Sequence, residues 1–491
     1  MSRALLLLLV LCAAVCASIG PAPAVAPAPI GPPLGKLDST AEALAAHSVG
    51  VSLLQAQIQA NPSGRITLKR SPGESHCARQ HTYKSTEVTQ LDLSSFRSVL
   101  AIDEENLEVD VQAMCSFEEL VDALLPLNLI PAVVPEFKGI TVGGSLQGLA
   151  AESTSFRFGL VHDVITGFEA LLGNGTVLWC SPTSNAELFH ALPGSFGTLA
   201  LCTRVRMQCI RAKPFVKVTC RRFASQSECL SHMCTPLLPA DTDMIEGIGF
   251  GKKEWVAVEG RFDDDAVAPL HRCNAWGHKW FYNQVRGGQE FHLPTKDYLF
   301  RHDRGSFWMA SYRIPQVLGQ FLLGSLLDST NMFKLANLLP WAFPKSQIVL
   351  QDFMLPRENC EAFTSGALEV ASVWPLWLLP MRRRPRGRAE EDAVFGVPTH
   401  TIDLVNVGMY GIPVRTDSSS YVFDRDNRLL EHLLHKHGGR KVLYSHSFYS
   451  KEFFYNSLYD GSRYEKLRKK YSAHETFPDV WSKVVVKDGR L

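Results

Sequence analysis

Pro135-Glu136-Phe137-Lys138-Gly139-Ile140-Thr141-Val142-Gly143-Gly144 decides the reading of the fold, because an extended apolar segment there runs into a glycine cluster. A second cluster, Pro193-Gly194-Ser195-Phe196-Gly197-Thr198, follows in the same block before Met207. Without Cβ atoms, such loops let main-chain N–H groups line a concavity, as a pyrophosphate or a planar ring system needs. Neither cluster has the G-x-G-x-x-G spacing of a dinucleotide fold or the G-x-x-x-x-G-K-[ST] spacing of a phosphate loop. Each alone is equally a turn between strands. The pair within one apolar block points to one domain folded around a large ligand.

Working outward, Leu107-Glu108-Val109-Asp110-Val111 alternates like a half-buried strand, and Ser116-Phe117-Glu118-Glu119 then opens a helix by a capping-box pattern. Val164 to Cys180 reads as two strands joined at Gly173-Asn174-Gly175, and Ser184-Asn185-Ala186-Glu187 caps a short helix carrying Leu188 and Leu192. Strands resume through Val205 and Met207. After about Lys213 the texture turns to longer aromatic-rich segments, Trp276 to Tyr282 and Phe307 to Tyr312 among them, which marks a second domain.

A chain of 491 residues, 46% apolar and 20% charged, holds two or three domains and a large core. The formal charge of +1 gives no overall pull toward nucleic acid. Twelve cysteines without a C-x-x-C pair disfavour zinc and iron–sulfur sites and read most simply as buried thiols. No metal site is expected.

At the N-terminus, residues 1–20 hold an apolar run from Ala4 to Ala17 that matches a secretory signal or an anchor, and the Pro/Ala-rich tract 21–34 reads as a linker. Val317 to Trp341 is strongly apolar but interrupted by Asp328, Asn331 and Lys334, so a buried helix pair is favoured over a surface dipping into lipid, and a span is disfavoured. Trp374 to Pro380 is followed by Arg382-Arg383-Arg384, which suits either an anionic membrane surface or an exposed loop; Ala389-Glu390-Glu391-Asp392 balances the charge and favours the loop.

From about His81 to the C-terminus the chain resembles the delta(24)-sterol reductase family, a branch of the vanillyl-alcohol-oxidase-like flavoproteins with a PCMH-type FAD-binding domain. The matching text includes Val134-Pro135-Glu136, Thr141-Val142-Gly143-Gly144, Glu152-Ser153-Thr154-Ser155, Phe158-Gly159-Leu160, Cys180-Ser181-Pro182-Thr183-Ser184-Asn185 and Gly197-Thr198-Leu199. The resemblance implies an α+β fold, with a two-part FAD-binding domain over residues 35–212 and an α+β substrate domain over 213–491. Its C-terminal Tyr464-Glu465-Lys466-Leu467-Arg468 helix would pack on the flavin domain, as at the end of a complete family member. It also implies an endoplasmic-reticulum membrane protein with an N-terminal anchor, non-covalent FAD, NADPH as reductant and a sterol substrate whose side-chain alkene is reduced.

By the same resemblance, Thr141, Val142, Gly143, Gly144, Ser145 and Gly148 would run along the FAD pyrophosphate. Ser153, Ser155 and Gly159 would continue the wall, and Gly197, Thr198 and Leu199 would approach the adenine or flavin end. Two departures stand out: Gly148-Leu149-Ala150 replaces a Gly-Thr-Gly run, where an alanine forced to φ > 0 would cost about 1 kcal/mol or more, and Gly194-Ser195-Phe196 replaces a segment with tryptophan and cysteine. His76, beside the early Ser71-Pro72-Gly73 loop, is either a covalent attachment point or an exposed loop histidine.

An isolated alkene has no carbonyl to stabilise a carbanion, so its reduction needs an acid beside a dry pocket. Candidates are His302, which Asp303 could orient, and Tyr444, with Asp352, Asp403 and Tyr410 in neighbouring motifs. Trp308, Trp374 and Trp377 would line an apolar sterol cavity. An oxygen-using alcohol or sugar-lactone oxidase on the same flavin domain, and a non-catalytic sterol-binding membrane protein, are the competing expectations.

Overall fold

The computed structural model describes residues 37–60, 64–69, 76–77, 88–234, 238, 240–267, 269–314, 327–338, 344–382, 395, 403–414 and 421–485. The first half is built on the strand Leu201–Arg211, whose Val205, Met207 and Cys209 are buried at alternate positions on one face. The sheet runs in the order Val99–Asp103, Glu108–Gln112, Leu201–Arg211, Ile165–Leu171, Val177–Cys180, and the short strand Leu129–Pro131 pairs with the far end of the central strand. Asp110 departs from the half-buried alternation: it is buried because Arg206 Nη2 at 2.8 Å and Arg204 Nε at 3.2 Å reach its carboxylate from the neighbouring strand.

Helix Phe117–Leu124 starts by the capping box that its sequence announces: the Glu119 N–H donates to Ser116 Oγ and the Ser116 N–H donates to Glu119 Oε2. Helix Ala186–Ala191 starts differently. Asn185 sits in the left-handed region at φ 49° with no side-chain cap bond, since its Nδ2 donates to the Trp179 carbonyl instead.

The second half centres on an eight-stranded sheet in the order Glu290–Pro294, Phe215–Phe223, Glu254–Asp263, Met244–Gly251, Leu376–Arg382, Asp403–Gly411, Val349–Pro356, Arg440–Lys441. Period-two alternation divides the inner strands between two cores. Leu376 and Leu378, Val405 and Val407, and Phe353 and Leu355 face helices Cys360–Val370 and Phe423–Lys436, whereas Trp377, Leu379, Leu404, Tyr410 and Met354 join the core shared with the first half. The mixed α+β architecture expected from the sequence is the one observed.

The chain finally returns to the first half. Helix Gly461–Lys470 buries Tyr464, Leu467 and Arg468; Tyr464 OH donates to Thr198 Oγ1 at 2.7 Å and Arg468 Nη1 donates to the Thr198 carbonyl at 2.8 Å. Arg468 also donates to the carbonyls of His474, Phe477 and Pro478. Of the ten described cysteines eight are buried, and Cys77 and Cys234 are half-buried.

The expected membrane association and endoplasmic-reticulum membrane location are corrected by the fold: no described helix is long and apolar enough to cross a membrane. The longest, Leu37–Gln59, has the length but carries Asp38, Glu42, His47 and three glutamines. Helix Ser329–Leu338, within the apolar Val317 to Trp341 stretch, has only ten residues. Residues 1–20, the 21–34 tract, the 71–75 loop and the arginine run from 383 onward lie outside the described residues.

Candidate active site

The two glycine clusters meet. Thr141 precedes helix Val142–Gly148, and the Phe196 N–H donates to the Gln147 carbonyl at its far end. Gly143 is a packing glycine: a Cβ there would lie 2.7 Å from Ala113 Cβ, and its N–H already donates to the Ala113 carbonyl at 2.8 Å. The Val142 N–H is likewise committed to the Cys115 carbonyl, so these two amides are not the free donors that the loop reading assumed. Ser145 Oγ donates to the Val142 carbonyl. At the helix end Leu149, not Ala150, takes the left-handed conformation at φ 63°, so Ala150 carries no strain of that kind.

Around this helix the second cluster turns through Gly194, Phe196 and Gly197, at φ 73°, 53° and 72°. A Cβ on Gly197 would lie 3.2 Å from Gln147 Oε1 and 3.6 Å from Lys483 Nζ. Gln147 Oε1 and Ser195 Oγ are buried without a hydrogen-bond partner among the described residues. Buried polar atoms rarely stay unsatisfied, and Gln147 Oε1 accepts while Ser195 Oγ can donate, so this cradle fits a ligand carrying both hydroxyl or amine donors and phosphate acceptors, such as the adenosine-phosphate half of FAD. Thr198 and Leu199 face elsewhere: Thr198 Oγ1 donates to the Ser195 carbonyl and accepts from Tyr464, and Leu199 is core.

Ser153 and Ser155 fall at the junction of the two halves. Ser155 Oγ accepts from the Glu152 N–H, and the Ser153 carbonyl accepts from the Ile245 N–H of the second sheet. Gly159, at φ 77°, makes room for the Asp163 carboxylate, which accepts from the Leu160 N–H.

Across the junction lies a buried charge cluster that the sequence reading missed. Arg301 Nε donates to Glu246 Oε1 at 2.6 Å and Nη2 to Glu152 Oε1 at 2.9 Å, with the guanidinium over the Tyr298 ring. His302 Nε2 lies 2.8 Å from Glu246 Oε2, and Trp377 Nε1 donates to the same oxygen at 2.7 Å. Burial pushes the Glu246 carboxyl up, but the Arg301 and His302 charges and hydrogen bonds outweigh it and hold the group well below the usual range. Ligand atoms of Glu152, Glu246 and His302 lie within 4.8 Å of one another, a spacing a cation could bridge. The Arg301 guanidinium takes that place. A charged residue inside the apolar run Met244-Ile245-Glu246-Gly247-Ile248 was the available signal.

The expected His302–Asp303 pair does not form. His302 is oriented by Glu246, whereas Asp303 Oδ1 accepts from Ser329 Oγ at 2.6 Å and from the Lys138 N–H at 3.1 Å, because adjacent residues of a turn point in different directions. His76 is not the exposed histidine of the simpler reading: it is half-buried, stacks on Phe137 and lies 3.2 Å from Ser329 Oγ.

Beyond His302 the backbone takes three successive positive φ values, 79° at Gly305, 45° at Ser306 and 62° at Phe307. For the two non-glycine residues this costs about 1–2 kcal/mol each. The turn stacks Phe307 on His302 at 4.2 Å and sets it 4.9 Å from Tyr410 and 5.1 Å from Trp377. Trp308, fully buried, donates from Nε1 to the Tyr410 carbonyl at 2.7 Å. Trp308 and Trp377 thus share this wall. Trp374 does not: it packs against Trp255 in the core on the opposite face of the sheet.

Next to this wall Asp352 accepts from Tyr410 OH and Asn406 Nδ2, both at 2.6 Å, and from Tyr444. Burial raises the Asp352 carboxyl while these donors oppose it, and burial with the Asp352 charge holds Tyr410 and Tyr444 protonated. Asp403, by contrast, is exposed at the strand end. Glu136, on the segment that leads into the glycine helix, faces the same group. It is half-buried.

Residues 55–181 match the family model described as an FAD binding domain. The chain is 26% identical over 477 residues to the Delta(24)-sterol reductase homolog dhcr-24 of Caenorhabditis elegans, covering 89% of this chain and 87% of that one. It is 26% identical over 438 residues to the Delta(24)-sterol reductase of Rattus norvegicus, with 82% and 78% covered, and 25% identical over 467 residues to that of Arabidopsis thaliana, with 86% and 81% covered. Cytokinin dehydrogenase 3 of Oryza sativa subsp. japonica is 28% identical over 169 residues, only 34% of this chain and 32% of that one. Fold and domain match together define an FAD-binding oxidoreductase of the two-domain PCMH type. Within that class the chain is similar to the delta(24)-sterol reductases over most of its length.

Proposed function

We propose that this protein reduces the delta(24) side-chain alkene of sterol intermediates, using non-covalent FAD and NADPH. The observation that carries the reading is the acid–tyrosine group Asp352, Tyr410 and Tyr444, set beside an aromatic wall on the face of the second sheet that meets the FAD-binding half. Similarity to the sterol reductases that spans both halves of the chain supports it.

FAD, when bound, supplies the hydride for the alkene and takes its electrons from NADPH. Helix Val142–Gly148 and the Gly194–Thr198 turn would hold its phosphate-bearing half, with Gln147 and Ser195 giving the polar contacts they lack within the chain. Phe307, Trp308 and Trp377 would exclude water and bury the sterol side chain, where apolar area supplies affinity. Glu246, by accepting from Arg301 and Trp377 and anchoring His302, would keep that wall rigid. His302 then acts through position and not as the acid, since the Phe307 ring covers it.

The test is spectral. Protein purified with added FAD should show the flavin band, and anaerobic NADPH should bleach it. A protein that takes up no flavin, or that releases hydrogen peroxide in air when given an alcohol or a sugar lactone, would overturn the reading.

A further inference from the structure

The geometry points to Glu136 as the acid that delivers the proton to the substrate alkene, a role that rests on the reading above. Three observations converge on it. The residue follows Pro135 and precedes the glycine helix, so it lies where the FAD-binding half meets the second sheet. Its neighbour Phe137 packs 5.8 Å from Phe307, and the Lys138 N–H binds Asp303, which fixes the segment on the aromatic wall. Its carboxyl is half-buried and has no hydrogen-bonding side-chain partner among the described residues. Every other acid of the cluster is engaged: Asp352 by Tyr410, Asn406 and Tyr444, Glu152 and Glu246 by Arg301.

Burial, with the carboxylates facing it, keeps Glu136 protonated. Burial is the largest influence, and the Asp352 and Glu152 carboxylates add to it against the residue's own backbone N–H and the weaker pull of Arg301, so the group is pushed up to about 8. Tyr410 and Tyr444 also face it, with Cys77 beyond Tyr444, and burial holds both phenols above their ordinary value. A neutral carboxylic acid at neutral pH, in reach of a dry cleft, is what alkene protonation requires. In the step, the O–H bond of Glu136 breaks as a C–H bond forms at one alkene carbon. The other carbon receives the hydride from the reduced cofactor, which is oxidised, and the Glu136 carboxylate recovers a proton from water.

Glu136→Gln removes the acid while keeping shape. The expected result is that the variant binds FAD with a normal spectrum and is reduced by NADPH within about twofold of the parent rate, while reoxidation by a delta(24)-sterol slows about a hundredfold or more. Glu136→Asp should restore part of the rate. Independently of any substrate, infrared difference spectra taken across the pH at which the group ionises, about 8, should show a protonated carboxyl that E136Q lacks. An unchanged infrared signal, or a sterol reoxidation rate in E136Q equal to that of the parent, overturns the assignment. If the sterol fails to reoxidise the parent protein itself, the proposed function falls, and with it the sterol-specific role of Glu136, while the infrared signal still reports whether the residue is a neutral acid.

Discussion

At the residue scale, Arg301 has the largest consequence for stability. It neutralises Glu152 and Glu246 in a region with no solvent access. Removing one partner of such a group leaves an uncompensated buried charge and costs about 3–5 kcal/mol. Arg301→Met should therefore lower the melting temperature markedly at neutral pH. The pH dependence follows from Glu246, whose folded carboxyl is held below its ordinary 4.5. Around that pH the folded state binds fewer protons than the unfolded chain, so the stabilisation is present above it and lost as the pH falls. In R301M the Arg301 charge is gone and only His302 still opposes burial, which shifts Glu246 toward the neutral acid. The gap in melting temperature between parent and variant should be widest near neutrality and close as the pH drops below about 4.5; a gap independent of pH would contradict this account of the cluster.

At the scale of elements, helix Val142–Gly148 owes its place to one missing side chain. A methyl group at position 143 would press on both Ala113 Cβ and the Ala113 carbonyl, 3.0 Å away. Overpacking of this kind costs about 1–3 kcal/mol, so Gly143→Ala should lower the melting temperature and also the fraction of protein purified with flavin, measured by the ratio of flavin to protein absorbance. Equal flavin content would separate the helix from the cofactor site. Local signals of this sort were legible in the sequence: the Ser116–Glu119 box, the turn at Gly173-Asn174-Gly175 and the glycine clusters all act within a few residues. The requirement for positive φ was misplaced by one residue, to Ala150 from Leu149, because it depends on where the helix ends. The partner of His302 was not legible at all. Glu246 lies 56 positions away on another strand, and only the register of the sheet brings it near.

At the scale of the whole molecule, the joints between the two halves include Glu152 with Arg301, the Lys138 amide with Asp303, and the C-terminal helix on Thr198. The proposed active site lies where the first two joints converge, which explains why its parts would come from segments as distant as Glu136, Glu246, Phe307, Asp352 and Tyr444. Period-two patterning read strands in the first half, but not the strands Met244–Gly251 and Val349–Pro356 that carry Glu246 and Asp352, nor which face of each would meet the other half. The aromatic wall was half legible for the same reason, since Trp374 and Trp377 have opposite parity and lie on opposite faces of the sheet.

The most direct measurement is an anaerobic titration of the NADPH-reduced protein, freed of excess nucleotide, with a sterol bearing the side-chain alkene. The account predicts that one equivalent of sterol restores the oxidised flavin spectrum and leaves a product heavier by two hydrogens. A flavin that stays reduced in the presence of the sterol, and reoxidises only when oxygen is admitted with release of hydrogen peroxide, would contradict it.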